Sequence, residues 1–526
     1  MPSVNLNDIP KEVNEPSMHG LAQGFIAPSS VAMRVAPEIL LLELFRDVFF
    51  AGKNTNDPAQ ELQPEILTES GHLHFSNGER AVINCLRGRR KRTKKTREDI
   101  FYAPAYPSIA SQAWLGKSRE RTVGRLLFEE AFPQWLWCRG SDCQTAKLTQ
   151  QQAIQKTISA LLGTKKKPKG SPDGVEIQDI LASAEITPMA PEQVEKAEQA
   201  LSRATGSDER VFRTEEDPLA TRICTDFLAL CEAENEMPRM LWLKLLMTFL
   251  RFSLPMWFLA RLEVTVIVRD VLVDALSGRT LASAQILQDR MCARNLRILE
   301  PSLTRSRLLY DRIAKYIRSR VELNILLNCM QQLRPEQLSG KKVVLHQPSS
   351  GQIGVVDLLR LAAGAADELR ASSDFGEAPS IEVFLTRAGE GFRAWRNPLC
   401  HGQGKNIREF MRVLMKAETG DEEGGHLLVK EGRSENDGFR VFPGSLLLQL
   451  VSFLAFQSKK SGGCLSGGGT GMTLRDIEVH FKTYGIDFTF AAETRPMLAK
   501  ELQNLGLLVG SPDAGGSVGV TVPFLS

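Results

Sequence analysis

The densest run of chemically active side chains in this 526-residue sequence is basic. Arginine or lysine fills eight of the eleven positions from 87 to 97, and no acidic residue interrupts them. The basic residues are Arg87, Arg89, Arg90, Lys91, Arg92, Lys94, Lys95 and Arg97. So many cations cannot share an apolar core, and phosphate groups are the partners that most often use such a density of charge. The run predicts contact with a nucleic acid or another anionic partner; the alternative is a solvated loop.

A second group with chemical potential lies in the segment GFRAWRNPLCHGQGK, which contains Arg396, Asn397 and His401. An imidazole can move a proton at a 2′-hydroxyl, and a guanidinium can stabilise the charge that develops on a phosphoryl group. The Arg-x4-His spacing resembles the motif of HEPN-type domains, helical modules of which many are metal-independent ribonucleases that act as dimers. The resemblance implies Arg396 and His401 as a catalytic pair, although Pro398 departs from the helical setting of that motif. The alternative is a helix end at which His401 caps carbonyl groups and Arg396 pairs with an acid.

A third pattern is His480-x-Lys482-x4-Asp487, which resembles the motif of phospholipase D-like phosphodiesterases, where the histidine is the nucleophile. Such enzymes need two copies of the motif and usually carry Gly or Ser and Asn shortly after the aspartate. The segment DFTFAAETRP supplies neither. One face of an amphipathic helix explains the segment without catalysis, and its apolar residues are Leu474, Ile477, Phe481 and Tyr484.

Metal and cofactor motifs give no positive signal. Cys138-x4-Cys143 has no second pair at zinc spacing, and His72-x-His74 stands alone, so we expect no metal and no cofactor. The nine cysteines are scattered and odd in number, which favours reduced thiols, and no apolar leader follows the N-terminus. Both observations predict a cytoplasmic protein.

The composition is that of a globular protein rather than a disordered one. Lys and Arg total 65 against 62 Asp and Glu, a net charge of +3, and 43% of the residues are hydrophobic. The longest apolar stretch, residues 240–268, carries four charges and is interrupted by Pro255. A membrane span needs about 20 nearly uncharged residues, so this stretch predicts two buried helices that break near Pro255, and no membrane partner.

Apolar residues recur at three- and four-residue spacing through much of the chain, which predicts a mainly α, multidomain helical protein. A small mixed N-terminal domain and a C-terminal winged-helix-like domain complete it. The five predicted regions are a mixed α/β domain with a basic loop at 87–97 (1–145), a helix and Lys/Pro-rich linker (146–217), a helical bundle (218–335), a second helical domain (336–425) and the C-terminal domain (440–526).

The C-terminal region predicts three helices followed by two strands. Thr473 and Asp476 form a capping-box pattern, and Thr494 and Pro496 open a helix that stops before Gly506. This order resembles the winged-helix family. The resemblance implies that the third helix and the wing contact DNA, through Arg495, Lys500 and the turn at 511–517. Because acidic and basic residues cancel in this region, a protein-interaction role is the alternative.

The organisation as a whole resembles accessory proteins of bacterial anti-phage defence systems, particularly those that accompany DNA methylation or modification genes. The resemblance implies a partner-dependent role near nucleic acid. We therefore expect a non-enzymatic nucleic-acid-binding or adaptor component, with DNA more than RNA and other defence-system proteins as partners. A HEPN-like ribonuclease that uses Arg396 and His401 is the first alternative, and a scaffold that binds only proteins is the second.

Overall fold

The structure is a computed structural model. It describes about half of the chain, most of it beyond position 217. The described positions are 40–41, 43–45, 48, 87–90, 99–102, 127–128, 132, 150–162, 191–205, 218–278, 298–299, 308–344, 351–371, 378–400, 402–416, 424–430, 438–461, 471–488, 494–510 and 518–524.

The described part is mainly helical, as the apolar periodicity predicts. Its α-helices are α1 (Gln150–Leu162), α2 (Pro191–Thr205), α3 (Pro218–Glu232), α4 (Arg239–Leu276), α5 (Leu308–Leu333), α6 (Pro335–Leu338), α7 (Val355–Ala371), α8 (Ile381–Glu390), α9 (Arg393–Arg396), α10 (Gly402–Met411), α11 (Ser445–Ser461), α12 (Leu474–Thr483) and α13 (Thr494–Asn504). Two single 3₁₀ turns follow α3 and α10, at Ala233–Asn235 and Arg412–Leu414.

The strands are short and form four small sheets within the described residues. They are β1 (Arg87–Arg90), β2 (Asp99–Tyr102), β3 (Lys342–Val344), β4 (Gln352–Gly354), β5 (Leu428–Lys430), β6 (Phe439–Val441), β7 (Met472–Thr473), β8 (Leu508–Val509) and β9 (Gly519–Val520). β1 pairs with β2 and β5 with β6, both antiparallel, whereas β3 and β4 are parallel. The last sheet is antiparallel in the order β7-β9-β8.

Helix α4 is the centre of the core. It packs against α3, α5, α7 and α11, and side chains on all of its faces are buried. A helix that is apolar all round is stable in water only when other elements surround it. Its largest fully buried side chains are Trp242, Phe249, Phe252, Trp257 and Phe258.

The predicted break at Pro255 is wrong, because α4 runs through the proline as one helix of 38 residues. Proline removes one backbone donor and strains the preceding turn, which costs about 3 kcal/mol in a helix interior. Ser253, Leu254 and Met256 are buried on both sides of it, so tertiary packing supports the two halves as a single element.

Two helices from the predicted linker region pack on this core. α1 contacts both α2 and α3, and Ile154, Leu161 and Leu201 are buried. Arg239, at the start of α4, is itself buried and donates hydrogen bonds to the carbonyl oxygens of Ala160 and Leu161 at 2.6 and 2.7 Å. These bonds satisfy carbonyl groups that the end of α1 would otherwise leave without partners.

The terminal unit, residues 445–524, follows the predicted helix and strand order. Thr473 and Asp476 form the capping box, with the backbone N–H of Thr473 donating to the Asp476 carboxylate at 2.8 Å. α13 ends before Gly506, whose φ of +68° is favourable only for glycine. The unit also contains β7, a third strand that the sequence does not predict.

Helix α12 holds the terminal unit against the helical core. The Phe252 ring of α4 lies 6.1 Å from Phe481 and 4.7 Å from Tyr484, measured between ring centroids. Next to them, a side chain at Gly485 (φ +80°) would meet Ile298 at 2.7 Å. The aromatic face predicted for this helix therefore packs on α4.

No helix in the described part of the chain has the length and apolar character needed to cross a bilayer. The apolar stretch at 240–268 lies instead within α4, at the centre of the protein core.

Candidate nucleic-acid interface

The basic run 87–97 begins as a strand rather than as the loop that the sequence predicts. β1 contains Arg87, Arg89 and Arg90. It pairs with β2, and in this pairing Arg87 is opposite Tyr102 and Arg90 is opposite Asp99. The partner strand, DIFY, supplies the aromatic and β-branched residues that favour pairing. The other five cations, Lys91, Arg92, Lys94, Lys95 and Arg97, lie outside the described residues, in the connection between the two strands. We refer to residues 87–102 as the basic hairpin.

Arg495, predicted to contact DNA, is half-exposed and pairs with an acid of the terminal unit itself. It lies at the start of α13 and makes a two-point ion pair with Glu478 of α12, Nε to Oε1 at 2.6 Å and Nη2 to Oε2 at 2.7 Å. The Glu478 side chain is 1% exposed, and its hydrogen bond raises the pKa of Arg495. The pair joins α12 to α13 and neutralises the arginine charge.

Lys500, the other basic residue predicted on α13, is exposed. The wing turn at 511–517 lies outside the described residues.

Two further cations of the terminal unit are also paired internally. Lys459 lies 2.9 Å from the Asp476 carboxylate, and Lys482 lies 2.9 Å from Asp487. With Arg495, three of the unit's six lysines and arginines therefore have a carboxylate partner within the unit itself.

The residues of the phosphodiesterase-like pattern do not converge on one site. Lys482 and Asp487 pair with each other, whereas the His480 side chain is buried and directed at helix α3. His480 Nε2 lies 3.0 Å from Oδ2 of Asp226. This arrangement favours the structural explanation of the motif over a catalytic one.

His480 belongs to a buried polar network that joins α12 to α3. The Asp226 carboxylate accepts hydrogen bonds from Tyr484 at 2.7 Å and from Arg222, and Arg222 also donates to the Ser458 hydroxyl at 2.9 Å. Asp226 and Tyr484 are fully buried and His480 is 3% exposed. Sequence reasoning did not single out Asp226, since its partners on α12 lie more than 250 positions further along the chain.

The titration behaviour of the network follows from burial and from the Arg222 charge. Burial lowers the pKa of His480 below its ordinary value of 6.5 despite the nearby carboxylate, so the imidazole is neutral and donates to Asp226. Burial opposes ionisation of Asp226, but the charge of Arg222 and the contact with His480 outweigh it and lower the pKa of the carboxyl. Tyr484 has a pKa well above its ordinary value because it is buried beside that carboxylate.

Arg396 is exposed at the last position of α9, and α10 begins at Gly402. His401 lies outside the described residues. The position of Pro398 between the two helices explains why this motif is not continuous helix. The structure therefore places Arg396 at the surface and leaves its distance from the histidine undescribed.

The short helix α9 is fixed to its neighbours through Trp395. The indole N–H donates to Oε1 of Glu322 at 3.0 Å, and Arg269 binds the other oxygen of that carboxylate. A Cβ added at Gly389 would meet the indole at 2.8 Å, so only glycine lets the ring lie there. These contacts set the position of the adjacent Arg396 backbone.

Groups of three or more His, Cys, Asp or Glu residues able to hold a metal ion do not occur in the described part of the chain. The Cys138/Cys143 and His72/His74 pairs fall outside the described residues. Comparison of the chain with protein-family models, with curated proteins and with solved structures finds no match.

Proposed function

We propose that this protein is a non-enzymatic nucleic-acid-binding or adaptor component that contacts the phosphate backbone through the basic hairpin. The observation that carries the proposal is the pairing of β1 with β2, which makes the first four residues of the basic run one strand of a two-stranded antiparallel ribbon. The major groove of DNA, about 12 Å wide, admits such a ribbon.

The charge distribution supports a localised anionic partner. The whole chain has a net charge of +3. The run 87–97 contributes +8, so the remaining residues together carry −5. Binding to phosphates would therefore be strongest at the hairpin, and each neutralised phosphate of duplex DNA would release about 0.9 counterion.

We also propose that the terminal unit is a winged-helix domain that serves as an adaptor. Its order of helix α11, strand β7, helices α12 and α13 and strands β8 and β9 supports that family, as does the sheet order β7-β9-β8. A DNA-reading module presents free positive charge, whereas Arg495 here is paired with Glu478. The internal pairing favours a role in holding proteins together.

A place in bacterial anti-phage defence is the wider form of this proposal. It rests on the resemblance of the chain's organisation to accessory proteins of such systems, and it assigns other defence proteins as partners of the terminal unit. Association of the purified protein with the products of neighbouring genes, measured by co-purification, tests that assignment.

The decisive experiment neutralises the hairpin. Arg89, Arg90, Lys91 and Arg92 are changed together to glutamine, and binding to a fluorescent 20-bp duplex is measured by anisotropy over a range of salt concentrations. The matched control changes Lys165, Lys166, Lys167 and Lys169, an equal number of charges in the predicted linker. We expect the hairpin variant to lower the salt slope of log K by about 4 and the control to leave most of it. Equal affinity and slope for the hairpin variant and the wild type would overturn the proposal.

A metal-independent ribonuclease is the second candidate. It is favoured by the exposure of Arg396 and Asn397 on a segment whose backbone is held by Trp395. If His401 and Arg396 are a catalytic pair, His401→Ala and Arg396→Ala should each abolish RNA cleavage in EDTA while a control variant of the exposed α7 residue Arg360, Arg360→Ala, retains it. Equal cleavage by all four proteins, or none by the wild type, rules this candidate out.

A further inference from the structure

We propose a second phosphate-binding surface, built by α5, α9 and α10 and distinct from the basic hairpin. It consists of five exposed basic residues, Lys315, Arg318, Arg393, Arg396 and Lys405. We call it the second basic surface. The proposal rests on the proposed nucleic-acid-binding function and extends it, because the phosphate backbone of one nucleic acid would then be held at two separate places on the protein.

The first contact that assembles the surface joins α5 to α9. Arg318 Nε donates to the carbonyl oxygen of Trp395 at 3.3 Å, and its guanidinium carbon lies 5.4 Å from the centroid of the indole ring. Cation–π contact with tryptophan stabilises a guanidinium in one position even where solvent reaches it. Because Arg396 follows Trp395 directly, the backbone of Arg396 is adjacent to the Arg318 side chain.

The second contact joins α10 to the same place. A Cβ added at Gly404 would lie 1.7 Å from the carbonyl oxygen of Pro398 and 3.1 Å from the Ile317 side chain. Only glycine permits this approach, so the start of α10 is pressed against α5 and against the turn that follows α9. Lys405, the next residue, is exposed beside this junction.

The charges of the second basic surface are available to a ligand. Arginines near it make ion pairs, namely Arg269, Arg312, Arg408 and Arg412. Among the described residues none of the five surface cations is in such a pair. The exposed acids nearest along the helices are Asp311 and Glu390, while Glu322 is occupied by Arg269 and Trp395. Five exposed cations are therefore accompanied by two exposed acids in this part of the sequence.

The spacing of the cations suits a chain of phosphates. Lys315 and Arg318 on α5, and Arg393 and Arg396 on α9, are both separated by three positions, which sets their Cβ atoms about 5–6 Å apart on a helix. The contacts at Trp395 and Gly404 hold α9 and the start of α10 against α5, so the backbones that carry these cations are already in place when successive phosphates bind.

An acidic protein is the less suitable partner. Protein interfaces have an apolar centre rich in aromatic residues, whereas nucleic-acid interfaces are polar and positive. The large hydrophobic side chains that are exposed in the described part of the chain are Val479 and Val509, both in the terminal unit. The second basic surface thus has the charge of a nucleic-acid interface without the apolar centre of a protein one.

The experiment uses the full-length protein with Lys315, Arg393 and Lys405 changed together to glutamine. Arg318 is kept because it packs on Trp395, and Arg396 is kept so that binding is tested apart from any catalysis. The control changes Lys196, Arg360 and Lys460 to glutamine; these exposed cations lie on α2, α7 and α11. Affinity for a duplex DNA and for a single-stranded RNA of 20 nucleotides is measured by anisotropy at several salt concentrations, with polyglutamate as competitor.

We expect the triple variant to lower the salt slope by about 3 on at least one probe, and the control to match the wild type. The probe with the larger loss identifies the nucleic acid. The inference is overturned if the triple variant binds like the wild type, if the control loses as much, or if polyglutamate displaces the probe only from proteins with an intact second basic surface.

The hairpin variant, measured in parallel, separates the two proposals. If the hairpin variant loses binding and the triple variant does not, the proposal of a second basic surface is wrong and the hairpin proposal stands. Loss in the triple variant alone supports the second surface and removes the hairpin proposal. If the wild type binds neither probe, both proposals fail.

Discussion

The terminal unit and the second basic surface both place arginine and lysine on short helices, but they use them differently. In the terminal unit Arg495, Lys459 and Lys482 each pair with a carboxylate of the same unit. On the second basic surface Arg393 and Arg396 are exposed, and Arg318 is held by an indole ring and a carbonyl oxygen. The comparison teaches that a basic residue indicates a binding role only when its charge has no partner inside the fold.

The largest effect should come from breaking the buried network that fixes the terminal unit. Asp226→Ala removes the acceptor shared by Arg222, His480 and Tyr484. Removing one member of a buried pair costs about 3–5 kcal/mol, because the remaining charge is left without compensation. Urea unfolding followed by tryptophan fluorescence should show a loss of this size.

The matched control for this prediction is Asp357→Ala, which removes an exposed ion pair with Arg360. Exposed pairs contribute about 1 kcal/mol or less. If the two variants lose the same free energy of unfolding, the network does not fix the terminal unit in the way described.

An intermediate effect should separate the two classes of arginine directly. Arg495→Ala leaves the carboxylate of the buried Glu478 without its ion pair, and hydrogen bonds to charged groups contribute about 1.5–3 kcal/mol. Arg393→Ala removes an exposed charge and should leave stability nearly unchanged. We expect the reverse order for nucleic-acid affinity, where Arg393→Ala weakens binding and Arg495→Ala does not. Thermal unfolding measures the stability of the two variants, and anisotropy measures their nucleic-acid affinity. If the same variant showed the larger loss in both measurements, the distinction between paired and available arginines would be refuted.

The smallest effect is a pH dependence at His480. The pKa of this histidine is lowered in the folded protein, so the unfolded chain binds a proton first as the pH falls below about 6.5. Stability is therefore fully present above that pH and decreases on acidification, by at most about 1.4 kcal/mol per pH unit for one group.

The variant His480→Gln isolates this contribution, since glutamine can still donate a hydrogen bond to Asp226 but does not titrate. Between pH 7 and pH 5 its free energy of unfolding should fall less steeply than that of the wild type. Parallel curves for the two proteins would show that His480 is not the titrating group. Asp226 acts at lower pH, because its pKa is below the ordinary 3.8 and its stabilising charge is lost only as the pH falls through that lowered value.

Local signals predicted local structure well. The capping box at Thr473 and Asp476 and the helix stop before Gly506 both depend on residues close together in sequence. The basic run was predicted as a loop from its composition, but pairing with β2 makes its first four residues a strand. The prediction of a helix break at Pro255 was wrong for a similar reason, because packing on both sides of the proline outweighs its local cost.

The features of the candidate sites that sequence could not supply are long-range pairings. The sequence near position 495 does not show that Arg495 pairs with Glu478. The sequence near position 226 does not show that Asp226 contacts His480. Apolar periodicity shows which face of a helix is buried without showing what lies opposite. Residue type gave the candidate cations, and only the fold divides them into paired and available groups.

The packing of Phe252 against Phe481 and Tyr484 also bears on how the chain can be divided into fragments. A fragment that begins near position 440 would carry the aromatic face of α12 without its cover on α4. Such a fragment would self-associate through that exposed apolar face. This non-specific association would add to its apparent affinity for any partner. Dissection of the protein therefore requires point substitutions in the full-length chain rather than excised domains.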